Sequence, residues 1–130
     1  MVHVIIDYSE SSSDTMKIII KNKTIISTDF SDYESAWKIN DALLLLEYIK
    51  EKNGLVLGGD ILTKNLEHNY DSWYYNNNPT HDYQFNVKCS IQHASEYICN
   101  YIKNNGDSFY VIFVTKPNMF HKTGDGLREA

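Results

Sequence analysis

Gly58, Gly59 and Asp60 interrupt the apolar run LVLGGDIL, residues 55–62. A glycine pair lets backbone approach a phosphate closely, and a carboxylate beside it can hold a metal. The nucleotide-cyclising signature Gly-Gly-Asp-Glu-Phe works in that way. Here Ile61 and Leu62 follow Asp60, so the second carboxylate is missing. The structural alternative is a bulge, since glycine inside a strand marks a kink or a close backbone approach. Asp60 would then accept hydrogen bonds from the amides that the kink frees. If Gly59 has positive φ, a β-branched replacement there harms folding.

Other catalytic patterns are absent. His3, His68, His81, His93 and His121 form no HxH, HxxxH or HExxH, so local metal-ligand spacing is missing. His81-Asp82 is an isolated pair. There is no GxSxG, no GxxxxGK[ST] and no GxGxxG, and neither Cys89 nor Cys99 sits in a CxxC. Catalytic residues, metal ligands and a cofactor are therefore not expected.

Asp71-Ser72-Trp73-Tyr74-Tyr75 carries a different chemistry. Three consecutive rings on an extended segment must point to both faces. One face can serve the core, and the other is left to a partner. Tyrosine and tryptophan give large contact area at low entropic cost and dominate binding hot spots. Packing within one domain is the competing reading.

Several elements must hold these residues. Residues 2–6 read as a short strand, and residues 9–15 as a polar loop. MKIIIKNKTIIST then gives a hairpin, its two β-branched runs, Ile18–Ile20 and Ile25–Ile26, lying around Lys21-Asn22-Lys23-Thr24. Ser31-Asp32-Tyr33-Glu34 has the form of a capping box. Ala36, Ile39, Leu43, Leu46 and Ile49 recur behind it at helical spacing, which predicts a helix reaching to about Asn53, with Gly54 as its left-handed stop. Residues 55–63 and 70–75 read as strands. Phe85, Val87 and Cys89 alternate as a brief extended piece. Ser90 caps a second helix carried by Ile91, Ala94, Ile98, Tyr101 and Ile102. FYVIFV, residues 109–114, closes as a strand buried on both faces. The expectation is one α+β domain over residues 1–130. It has a mostly antiparallel sheet of five or six strands, two packed helices, and a mobile tail from residue 117.

The net charge of −5 argues against direct nucleic-acid binding, which needs a Lys/Arg stripe, and favours a basic partner. No run is long enough to span a membrane, and the N-terminus lacks a signal-peptide pattern. With two cysteines and no disulfide framework, a cytoplasmic location is expected.

The ordered set L-x-L-G-G-D-I-L, Tyr70-Asp71-x-Trp73-Tyr74-Tyr75, Ser90-Ile91-x-x-Ala94-x-x-Tyr97-Ile98 and a closing apolar strand resembles the immunity protein 40 family, over roughly residues 55–114. The resemblance implies a cytosolic, non-catalytic bacterial protein that binds and blocks the C-terminal domain of a toxin from a polymorphic or contact-dependent system. A nuclease is the expected target, because its basic cleft suits an acidic inhibitor. Expected contacts are Asp60, Asp71, Trp73, Tyr74 and Tyr75, with Asp7, Glu10 and Asp14 around the first loop. The alternative is a small ligand-binding domain or enzyme whose pocket gathers Asp60, Asp71 and His81.

Overall fold

The computed structural model describes residues 6–8, 15–31 and 34–120. In chain order the elements are β1 (Ile6–Tyr8), β2 (Met16–Ile20), β3 (Lys23–Ile26), β4 (Thr28–Asp29) and β5 (Ser35–Lys38). A 3-10 turn (Ile39–Asp41) leads into α1 (Ala42–Glu51). Then come β6 (Leu55–Leu62), β7 (His68–Tyr74), α2 (Tyr83–Asn105) and β8 (Tyr110–Lys116). They build an α+β fold with two antiparallel sheets. A small sheet has the order β1-β2-β3, and the main sheet β4-β5-β8-β6-β7.

The first hairpin forms as its sequence predicts. Lys21 and Asn22 both have positive φ, 51° and 66°, and that left-handed pair gives the two-residue turn whose twist matches the flanking strands. Met16, Ile18, Ile20 and Ile25 of this hairpin bury into one core with α1, α2 and the main sheet.

The helix expected to start at the Ser31 box is shorter than predicted. Ser31 Oγ does accept the Glu34 N–H, at 3.1 Å. The next four residues, however, are strand β5, with Trp37 opposite Val111 of β8. Trp37 is fully buried, with its ring edge-on to Phe120 at 5.3 Å. Burying that indole in the sheet outweighs the weak local preference for helix. Helix α1 therefore begins at Ala42. The left-handed residue at its end is Asn53, φ 60°, and not Gly54. The Gly54 N–H closes the turn on the Ile49 carbonyl at 2.8 Å.

Helix α2 starts seven residues before Ser90. Asp82 is its cap, accepting the Phe85 N–H at 3.3 Å. The apparent alternation through Phe85, Val87 and Cys89 falls within helix; Val87 is buried and Phe85 exposed. Val87, Ser90, Ala94, Ile98 and Tyr101 form the buried stripe.

Both helices cover one face of the main sheet. Period-two alternation sends Trp37, Ile61, Trp73, Val111 and Phe113 to that face. Ala36, Leu62 and Ile112 lie on the other face, partly covered by Phe30, Leu66 and Tyr110. Among the described residues, no helix covers the remainder of this second face. Residues 117–120 follow β8, and Phe120 is buried against Trp37 and Tyr48. The expectation for residues 121–130 lies outside the described residues, as does that for residues 2–5.

Candidate functional site

Strand β6 bends where the glycines sit. Its pairing with β8 shifts register between Val56 and Gly58. Gly59 lies opposite Trp73 on β7 and Phe113 on β8. It is not among the positive-φ residues, so conformational freedom is not its reason. A Cβ there would stand 2.3 Å from Trp73 Cη2 and 2.7 Å from the Ile112 carbonyl oxygen. Glycine is required so that the indole can lie flat across the strand.

Asp60 does not secure the bend, since its carboxylate makes no hydrogen bond among the described residues. The Val56 N–H freed beside the bulge is instead taken by Ser90 Oγ at 3.0 Å, and that hydroxyl donates to the Val87 carbonyl at 2.9 Å. Ser90, expected as a helix cap, is a buried clamp between α2 and the bulge.

Of the expected contact residues, three point toward α2. Trp73 is 4% exposed, stacked on Tyr97 at 5.0 Å and edge-on to Phe113 at 6.0 Å. Asp71 accepts the Tyr101 hydroxyl at 2.7 Å, and that hydroxyl accepts from Asn69 Nδ2 at 2.9 Å. Burial first, and the bond to Asp71 second, push the Tyr101 hydroxyl up to about 12. Burial and the Asp71 charge also raise Tyr97. Tyr75 donates to Asn86 Oδ1 at 2.7 Å, and Asn86 in turn donates to the Asn78 carbonyl. These groups fasten β7 and the following loop to α2. Asp7 is placed on β1 opposite Lys17, and Glu10 and Asp14 lie outside the described residues.

Asp60 and Tyr74 face the other way, toward the uncovered side of the sheet. Val114 is exposed beside them, and Tyr70, quoted above only within the family pattern, is the most exposed tyrosine of β7. Tyr70 is 93% exposed, Tyr74 78% and Val114 45%. Leu57, Gly58, Asp60, Ser72, Tyr74 and Val114 rim a shallow depression of about 320 Å³. Asn69 and Tyr70 are extra residues of β7 with no partner on β6, since Asp71 pairs with Ile61 and His68 with Leu62. Tyr70 has φ 64°, a strained conformation for a bulky residue, and here it holds the ring out in solvent.

β7 is also a sheet edge. The Tyr75 N–H bonds the Leu57 carbonyl at 2.9 Å. By alternation, the backbone groups of Ser72 and Tyr74 point outward from the edge. The site thus offers two exposed rings, an unpaired carboxylate and a free strand edge on a stiff support.

The residues of the ligand-pocket alternative do not converge. Asp60 pairs with Ser72, so Asp71 faces the opposite side of the sheet, and His81 sits at the start of α2 against Phe85 at 5.1 Å. Among the described residues no three His, Cys, Asp or Glu side chains are grouped to hold a metal. No helix there is long and apolar enough to cross a membrane.

A family model described as immunity protein 40 matches residues 24–115, well over half of the chain. No curated protein and no solved structure matches it.

Proposed function

Because the chain belongs to the immunity protein 40 family, we propose that it neutralises a cognate toxin domain in the cytoplasm by covering it with the helix-free face of β6 and β7. One observation carries this reading: Tyr70 and Tyr74 stand in solvent on an open edge strand, beside the unpaired Asp60 carboxylate. Exposed tyrosines on rigid backbone are the groups that anchor protein interfaces. Trp73, Asp71 and Tyr75 contribute by holding the strand still rather than by contact. A preformed surface avoids the ordering cost of binding.

The net charge of −5 favours a basic surface on the partner. A toxin that cleaves nucleic acid needs such a surface to hold phosphates, so a nuclease domain is the target we favour. An interface of about 1,600 Å² would be ordinary for such a pair.

The test is co-expression with the toxin C-terminal domain encoded beside this chain. Wild type is expected to rescue growth and co-purify with the toxin. Tyr70→Ala combined with Tyr74→Ala is expected to fold normally yet lose both. Rescue by that double variant at wild-type level would refute the assignment of this face.

A further inference from the structure

We propose that the opening between β5 and β8 is a second docking site, which takes an extended, basic segment of a partner protein as an added strand along β8. The inference rests on the partner being a protein, as in the reading above, but on a separate part of the sheet.

β8 is an interior strand by sheet order, yet its pairing with β5 covers only Tyr110 and Val111. β5 then turns away to pair with β4 through Ser35 and Ala36. Among the described residues, β8 from Ile112 to Lys116 is laddered on its β6 side alone. The Ile39 N–H bonds the Phe109 carbonyl at 3.0 Å, which fixes the alternation. The backbone groups of Phe113 and Thr115 therefore point into the opening. A strand edge of this kind is a template for extended backbone.

The opening has a volume of about 290 Å³ and is lined by β8 from Ile112 to Thr115, by Glu34 and Ser35, and by Asn118 and Phe120. Ser35 is 1% exposed, and its hydroxyl oxygen is buried with no hydrogen-bond partner. Buried hydroxyls are nearly always satisfied, so an orphan lining a cavity points to a missing polar neighbour. Glu34 has no ion-pair partner among the described residues. Together these choose the occupant. Main-chain groups at strand spacing require an extended peptide, the carboxylate selects Lys or Arg, and the Ser35 hydroxyl takes one more polar contact.

The test uses the whole chain, ¹⁵N-labelled, with a synthetic hexapeptide of alternating valine and lysine as the probe. Amide exchange at Phe113 and Thr115 is expected to slow by about tenfold or more at saturation, as for amides that become inter-strand donors. A peptide N-methylated at alternate amides cannot form the ladder and should have no effect. Ser35→Leu fills the opening and should abolish the protection. Should that variant fail to fold, Glu34→Lys serves, and should transfer the preference to a valine–glutamate peptide. Equal binding of the N-methylated peptide, unchanged exchange at both amides, or perturbation confined to Tyr70 and Tyr74 would each overturn the proposal. So would protection of both amides before peptide is added, which would mean that the chain itself or a second copy fills the opening. Tyr70→Ala with Tyr74→Ala should leave the peptide effect intact, so failure here is separable from failure of the toxin-binding face.

Discussion

Replacing Gly59 by alanine tests how the site is supported. The added Cβ would lie 2.3 Å from Trp73 Cη2, 2.6 Å from Trp73 Cζ3 and 2.7 Å from the Ile112 carbonyl oxygen. Ordinary carbon contacts begin at about 3.5 Å, so each approach is short by most of an ångström. The ring has little room to retreat, since Tyr97 stacks on it at 5.0 Å and Phe113 meets it edge-on at 6.0 Å. The Ile112 carbonyl belongs to a strand laddered to β6. Overpacking of a tight core costs about 1–3 kcal/mol. With both a clamped ring and a paired strand in the way, the upper end, about 3 kcal/mol, is expected. Urea unfolding reads this directly: with a slope of about 1–3 kcal/mol per molar, the midpoint should fall by about 1–3 M. Gly106→Ala is the control. Its φ of 88° and ψ of −173° form a pair essentially confined to glycine, with no atom within 4 Å of an added Cβ, so it should cost only backbone strain of about 1–3 kcal/mol, with no coupling to Trp73. In a Trp73→Leu background the cost of Gly59→Ala should shrink by about 1 kcal/mol or more, because two of its three clashes are gone. A wild-type midpoint for Gly59→Ala, or no coupling to Trp73, would refute the packing argument.

Other outcomes follow from the same contacts. Ser90→Ala should destabilise by about 1–3 kcal/mol, because the buried Val56 N–H loses its acceptor, and exchange at Val56 should accelerate more than at neighbouring amides. Trp73→Phe should cost less than Trp73→Ala, expected near 3–5 kcal/mol, since the indole N–H has no hydrogen-bond partner to lose; calorimetry of both variants decides. Tyr101 keeps its proton up to about 12 in the folded chain and ionises near 10 when unfolded. The unfolded state therefore releases the proton first, so this contribution is complete below pH ~10 and is lost as pH rises toward ~12. Tyr101→Phe should flatten that alkaline decline in stability. Asp60→Lys takes the net charge from −5 to −3, so it should slow association with a basic toxin domain and weaken its salt dependence while leaving the unfolding free energy within about 0.5 kcal/mol of wild type.

The fold was legible where local chemistry and tertiary packing agree. Lys21-Asn22 between two isoleucine runs makes the hairpin from its own turn preference. The apolar run Phe109 to Val114 marked a strand, and its centre, Val111 to Phe113, is buried on both faces, whereas Val114 is 45% exposed. The helix boundaries failed where the two disagree. Ser31 and Glu34 form the capping contact that their spacing suggests, but Trp37 gains more in the sheet opposite Val111 than on a helix. Phe85 to Cys89 looked extended because Phe85, Val87 and Cys89 alternate, yet they lie in the helix that Asp82 caps. A single-sequence pattern counts apolar positions and cannot weigh which of them reaches a distant strand.

The candidate site was half legible, and the reason is geometric. Asp71 through Tyr75 correctly marked β7, but alternation divides that segment between two jobs. Trp73 and Asp71 turn to α2, while Ser72 and Tyr74 turn to solvent. Only the register with β6 says which set is which, and that register sets Gly59, which has no side chain to obstruct an indole, opposite Trp73. Once that pairing is fixed, the exposed set follows without further choice. Tyr74 and Asp60 are outward, and the extra residues Asn69 and Tyr70 leave a further ring in solvent. The glycine pair that first suggested a catalytic loop thus acts through packing: it seats the buried ring that sets the direction of the exposed ones.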